Sequence, residues 1–383
     1  MHGSRCFKFD NCDIFESDGS ISYGRNVFVR DGRFDSPSAT FDEVVDYSKD
    51  FAGLSLFPSA IDCQVNGSEG ILFEDIVQES QLLTLDASLA TRGTTRWCGT
   101  FVSSPCDKIE RVLKVVKGCT QPTGLIGIHF EGPWLNPKYR GCHPAARLAP
   151  SSPRHVDLIA HAMSIGKVIV TIAPEVITEA DLTRIVGTPG ILLCVGHSDA
   201  GPDLIDEKVG GRLHGLTHAF NCMPSVTARA PGPLGMMMRT SRCWSSVICD
   251  GEHVCRETFH MLKRSSCRGK IFLVSDQMPV DAAVKGVLPF ATEGIVFDGN
   301  ALRSKEGRLA GSARSLVDCM RVAISRFSVP ADEAIRMGTE YPARFLGVVE
   351  QYGMIDLGRY ADFIIADNQL NIHAVFRNGM RLV

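Results

Sequence analysis

Apolar, β-branched runs that end in a polar residue recur through the middle of the 383-residue chain, and this recurrence restricts the fold more than any other feature. They are GLIGIHFEG (124–132), KVIVTIAPE (167–175), ILLCVGHSD (191–199), GLTHAFN (215–221), SSVICDGEH (245–253) and KIFLVSDQM (270–278). A strand apolar on both faces must be covered on both, and helix-like stretches such as Asp107 to Val116 and Arg256 to Arg264 lie between the runs. This order of strand, helix, strand, helix predicts a parallel sheet, either doubly wound or closed into a barrel. No Gly-x-Gly-x-x-Gly follows the early strands, which weighs against a dinucleotide-binding fold. The span of about 290 residues from Pro58 to Gly347 accommodates a TIM-type (β/α)8 barrel of the usual ~250 residues.

The two ends read differently. Residues 1–57 and 348–383 carry short apolar stretches broken by turn pairs, namely Asp18-Gly19, Asp31-Gly32, Leu357-Gly358 and Asn378-Gly379. They predict one small β-sandwich domain built from both termini, beside a catalytic barrel over 58–347. The formal net charge of −3, with 44% hydrophobic and 22% charged residues, provides no electrostatic basis for binding nucleic acid or membrane. Fourteen cysteines are scattered singly with no CxxC pair, which points to free thiols in a reducing compartment. No apolar signal core, membrane-length run or peroxisomal tail is visible, so a cytoplasmic location is expected.

Active sites of such folds gather at the carboxyl ends of the strands. There stand Glu131, His197, His218, Asp250 and Asp276. The steps from Glu131 to His197, His218 and Asp276 are 66, 21 and 58 residues, about two units, one short unit and two units at ~30 residues each. All five then project from one rim. A carboxylate with two imidazoles suits Zn²⁺ or a related divalent ion and leaves a fourth position for water. A base must also take the proton of that water, and spacing alone does not choose between Asp250 and Asp276. Either one taken alone is equally well read as the N-cap of the following helix.

Seven segments, HFEGPWLNPKYRGCHP, VGHSDA, LTHAFNCMPSVTARAPGPLG, ICDGEH, LVSDQM, GRLAGS and YPARFLG, together resemble the N-acetylglucosamine-6-phosphate deacetylases of the amidohydrolase superfamily. The resemblance runs from Phe57 to about Asn378. It implies a (β/α)8 barrel with a small β-sandwich, usually as a homodimer. The implied reaction is hydrolysis of N-acetylglucosamine 6-phosphate to glucosamine 6-phosphate and acetate. It further implies Glu131, His197 and His218 as metal ligands, Asp276 as the catalytic acid/base and His253 as the group that polarises the substrate. Arg229 becomes the expected phosphate clamp, with Cys142, His143, Asn221, Cys222 and Leu309, Ala310 and Gly311 as further substrate contacts. Ser59, Ala230, Glu252 and the QMPV segment depart from the family pattern without removing a ligand or base.

Two amides, Gln64 and Asn66 of IDCQVNG, share one strand face where two-metal relatives place paired histidines. They predict a vacant second-metal position and one divalent ion per chain. Zn²⁺ suits the ligands, as do Fe²⁺, Mn²⁺, Co²⁺ and Ni²⁺. Competing readings are another metal-dependent amidohydrolase, acting on a cyclic amide or a different N-acyl sugar, and a sugar-phosphate binder without catalysis.

Overall fold

In the first barrel strand, Ala60–Val65, every residue is buried, as expected of a strand enclosed on both faces. Seven more parallel strands follow in chain order: Thr94–Val102, Leu125–Glu131, Lys167–Ile172, Ile191–Val195, Leu213–Leu216, Trp244–Ile248 and Ile271–Val274. Each pairs with the next, and the eighth meets the first through a parallel bridge between Val65 and Gln277. The computed structural model describes residues 6–16, 18–37, 43–46, 51, 53–148, 152–280, 287–288, 294–299 and 301–383.

Helices alternate with these strands, including Cys106–Gly118 and Arg256–Ser265 where helical stretches are expected. Both are amphipathic, burying Ile109, Val112 and Leu113 in one and Phe259 and Leu262 in the other against the barrel. The six apolar runs of the sequence are strands three to eight. The second strand does not stand out in the sequence, because Thr94, Thr95 and Arg96 interrupt its apolar character. Their polar groups are satisfied in the fold: Thr95 bonds Ser59, and Arg96 donates to Asp362 at 2.6 Å through Nε.

Both termini enter a separate eight-stranded sheet that includes Cys6–Phe15, Ile21–Arg30, Ser55–Pro58, Phe363–Ala366 and Ile372–Arg377. This is the terminal β-sandwich of the expected fold class. Two of the turn pairs close two-residue hairpins, with φ of 50° and 77° at Asp31 and Gly32 and 50° and 70° at Asn378 and Gly379. Positive φ at both central positions matches the right-handed twist of the strands they join. Phe363 stacks on Phe376 at 4.5 Å, and Phe9 meets both edge-on at 5.4 Å, giving this sheet its own core.

A three-stranded antiparallel sheet between the eighth barrel strand and the helix Leu316–Ser325 comprises Val287–Leu288, Ile295–Phe297 and Leu302–Ser304. It has no counterpart among the sequence expectations. Ile295 and Leu302 pack on Leu72, Val102, Met278 and Ala310, which seats the sheet over the carboxyl ends of the barrel strands. Among the described residues no helix is long and apolar enough to cross a membrane.

Candidate active site

Glu131 is the last residue of the third strand, and His197, His218, Asp250 and Asp276 follow the fifth, sixth, seventh and eighth. His197, His218 and Asp276 have φ of 51°, 33° and 50°. This left-handed conformation costs a side chain about 1–2 kcal/mol, so the surroundings must hold it. Each carbonyl is tied down: His197 accepts from the Asn136 N–H, His218 from Asn221 and Asp276 from Ser312, at 2.9 to 3.0 Å. The resulting sharp turns bring the three side chains to the barrel mouth.

There His218 Nε2 lies 2.8 Å and His197 Nε2 3.1 Å from Glu131 Oε1, and the two nitrogens are 3.1 Å apart. His197 donates its Nδ1 proton to the Tyr139 carbonyl at 2.9 Å, so Nε2 is the ring nitrogen that faces the carboxylate. His218 Nδ1 is buried without a hydrogen-bond partner. Electron pairs converging this closely suit a cation among them, and a backbone carbonyl on the far ring nitrogen is the usual support of a metal-binding histidine. The donor set therefore fits a divalent ion.

Glu131, His143 and His197 also bring one donor atom each within 4.8 Å of one another. His143, expected as a sugar contact, lies with Nε2 3.5 Å from Glu131 Oε2, while its Nδ1 is bonded to Ser103 Oγ at 2.8 Å. His218 converges more tightly on Glu131 than His143 does, at 2.8 Å against 3.5 Å. Burial pushes His143 down to about 4, so its ring is neutral. Burial alone would raise the Glu131 carboxyl, but hydrogen bonds from His143, His197 and His218 hold it well below the usual carboxylate range.

Gln64 and Asn66 face this cluster as donors. Gln64 Nε2 reaches both Glu131 Oε1 and Asp276 Oδ1 at 3.1 Å, and Asn66 Nδ2 reaches Asp276 Oδ1 at 2.7 Å. Two amides thus fix one oxygen of Asp276 and leave the other free of them. Burial, then the neighbouring Glu131 charge, pushes Asp276 up to about 6.

Asp250 does not reach the cluster. Its carboxylate instead accepts from His253 Nδ1 at 2.8 Å, while His253 Nε2 lies 3.0 Å from the Ala310 carbonyl. Both ring nitrogens face oxygens that can only accept, so the ring carries both protons.

A cavity of about 480 Å³ opens above these groups and is lined by Glu131, His143, His197, His218, His253 and Asp276. Asn221, Cys142, Cys222 and the segment Leu309 to Gly311 line its walls as well. A β-carbon at Gly311 would collide with the Asp276 carbonyl, so the close approach of this segment to the eighth strand needs glycine. Arg229 is exposed and is not part of this wall. Three cations absent from the sequence expectations line it instead: Lys138, Arg303 and Arg308. Their signals were Lys138 inside the segment NPKYRGCHP and Arg308 directly before Leu309-Ala310-Gly311.

The amidohydrolase family profile matches residues 55–382. N-acetylglucosamine-6-phosphate deacetylase of Caenorhabditis elegans is 30% identical, the match covering 98% of this chain and 94% of the relative. N-acetylgalactosamine-6-phosphate deacetylase of Shewanella sp. (strain ANA-3) is also 30% identical, over 97% and 91% of the two chains. The crystal structure of N-acetylglucosamine-6-phosphate deacetylase from Pasteurella multocida superposes with a TM-score of 0.89 at 24% identity, over 98% of this chain and 99% of that one. With the family pattern spanning barrel and terminal sheet alike, the chain belongs to the amidohydrolase family of metal-dependent hydrolases.

Proposed function

We propose that the protein hydrolyses the N-acetyl group of N-acetylglucosamine 6-phosphate, giving glucosamine 6-phosphate and acetate. The observation that carries this reading is the convergence of Glu131, His197 and His218 beside an Asp276 whose one oxygen is fixed by Gln64 and Asn66. The near full-length similarity to two amino-sugar phosphate deacetylases supplies the substrate class.

Glu131, His197 and His218 would hold a divalent ion, Zn²⁺ by ligand type, which when bound acidifies a water and polarises a carbonyl. Asp276 accepts the proton of the attacking water and returns it to the leaving amine. A carboxyl raised to about 6 suits both tasks near neutral pH. His253, held by Asp250 at Nδ1, donates its Nε2 proton to the oxyanion that develops on the acetyl oxygen by releasing the Ala310 carbonyl. The cavity volume is in the range of small-ligand sites.

A second reading is favoured by the equal similarity of the Shewanella relative, which acts on the galacto epimer according to its name. Acetate release measured on N-acetylglucosamine 6-phosphate, N-acetylgalactosamine 6-phosphate and N-acetylglucosamine tests both. Turnover of the first above the other two supports the main reading. Preference for the second epimer would replace it, and equal turnover without the phosphate would remove the phosphate from the assignment. The free thiols at the thirteen cysteines from Cys12 to Cys319 accord with action in the cytoplasm. A homodimer is the assembly expected, and sedimentation of the purified chain at twice its own mass is the corresponding check.

A further inference from the structure

The fourth barrel strand, Lys167–Ile172, gives no residue to the cluster, yet its apolar run also ends on a polar residue, Glu175. This carboxylate accepts from the loops that follow the strands on both sides of it. Asn136, after the third strand, donates through Nδ2 to Oε1 at 2.9 Å. Ser198 and Asp199, after the fifth, donate through Oγ to Oε2 at 2.7 Å and through N–H to Oε1 at 3.0 Å. Ser198 is fully buried, and its Oγ accepts from the Ala200 N–H at 3.0 Å, which leaves its proton for Glu175. A further bond from Asn136 Nδ2 to Asp199 Oδ1 at 3.1 Å joins the two loops directly.

Both loops converge on His197. Its carbonyl accepts from the Asn136 N–H and its Nδ1 donates to the Tyr139 carbonyl, each at 2.9 Å. The Asn136 carbonyl accepts from the Tyr139 N–H at 2.9 Å, which closes the turn Pro137–Tyr139 behind the ring. His197 depends on these restraints because its φ of 51° is a strained conformation for a residue with a side chain. Glu175 thus grips the residue after His197 on one side and, on the other, the residue that restrains the His197 carbonyl and its ring support.

We propose that Glu175 is a positioning residue: by joining the loops after the third and fifth strands it keeps His197 in its metal-binding conformation and so sets the affinity of the site for its divalent ion. This rests on the ligand set of the deacetylase reading above and adds to it a residue that does not line the cavity. Groups that orient a ligand in this way govern metal affinity although they never touch the ion.

The test measures the Zn²⁺ affinity of the metal-free chain by competition with a chromogenic chelator, with no substrate present. Glu175→Ala is expected to raise Kd by about 10–100-fold. Glu175→Gln, which retains an oxygen acceptor for the Asn136 amide and the Asp199 N–H, should recover most of that loss. Asn136→Ala removes the amide that bridges the loops but keeps the N–H that bonds His197, and it should shift Kd in the same direction as Glu175→Ala. Glu333→Ala is the control, since it deletes a buried carboxylate that accepts from the Tyr341 hydroxyl at 2.9 Å and does not line the cavity. It should lower the unfolding midpoint and leave Kd unchanged. At saturating Zn²⁺, Glu175→Ala should keep KM for N-acetylglucosamine 6-phosphate within about threefold of the parent, because no substrate contact is lost. A parental Kd in Glu175→Ala, or an equal rise in Glu333→Ala, would overturn the positioning role. A parent that bound Zn²⁺ but released no acetate would remove the deacetylase reading while the series of Kd values still decided the role of Glu175. A parent that bound no divalent ion would overturn both.

Discussion

Asp250 and Asp276 occupy equivalent strand ends, yet their surroundings separate them by about four units of pKa. Asp276 is pushed up to about 6 by burial and the Glu131 charge. For Asp250, burial alone would raise the carboxyl, but the hydrogen bond and charge of His253 hold it at about 2. A proton carrier needs the first environment, and a fixed counter-ion needs the second. Asp276→Asn should lower kcat by about 10³-fold, within the usual range for an acid–base group, while leaving bound metal unchanged by elemental analysis. A variant with parental kcat would reassign the base. The Asp250–His253 pair makes a different prediction, about stability. The Asp250 share is present above its ordinary value of 3.8 and lost as pH falls through about 2. The His253 share is present below 6.5 and lost as pH rises through its raised value, with Asp276 adding to the raise and the Ala310 carbonyl holding the other ring nitrogen. Asp250→Asn should therefore cost about 2 kcal/mol between pH 4 and 6.5, and less toward either extreme. Unfolding midpoints compared across that range provide the check, and a difference independent of pH would mean that packing rather than charge is lost. In the sequence this pair was legible only as an undecided choice of base. Its partnership appears when the turn at Gly251, with φ of 89°, folds His253 back onto Asp250.

At the scale of elements, strands three to eight were legible because a strand covered on both faces must be apolar without interruption. The second strand was not, because its polar residues are satisfied by partners distant in sequence. Arg96 bonds Asp362 and Asn378, more than 260 positions away, and Trp97 Nε1 donates to Asp86 at 2.9 Å. The cations of the cavity wall were hidden for the same reason, since Lys138 and Arg303 come to line one cavity only in the closed barrel. Buried ion pairs also couple the terminal sheet to the barrel. Arg377, from the strand Ile372–Arg377, donates to both oxygens of Asp86 at 2.7 and 3.1 Å on a barrel helix. Asp86 also accepts from Trp97 Nε1 and the Gly124 N–H. Arg377→Met should destabilise the chain by about 3–5 kcal/mol, since it strands a buried charge. Adding Asp86→Leu should recover part of that loss in urea unfolding. If the single substitution costs under about 1 kcal/mol, this ion pair does not hold the terminal sheet in place.

For the molecule as a whole, the decisive property is how many metal ions one chain holds. The amides of Gln64 and Asn66 spend their N–H groups on Glu131 and Asp276, so they present donors where a second cation would need electron pairs. Asn66 Oδ1 is buried without a partner, but a lone neutral amide oxygen is a far weaker ligand than the trio across the barrel. One ion would bind where Glu131 Oε1 and the Nε2 atoms of His197 and His218 already converge, all within 3.1 Å of one another. Binding of the ion therefore contributes to stability as well as to chemistry. At a free concentration 100-fold above its Kd it should add about 2.7 kcal/mol. Chelation is expected to abolish acetate release and lower the unfolding midpoint together, with both recovering at one equivalent of Zn²⁺ per chain. Gln64→His/Asn66→His would supply imidazoles on the same strand face and should raise the bound ion toward two, at the expense of the bonds that hold Asp276. Recovery of the parent that required two equivalents would place a second ion beside Gln64 and Asn66, and would recast both amides as ligands rather than donors.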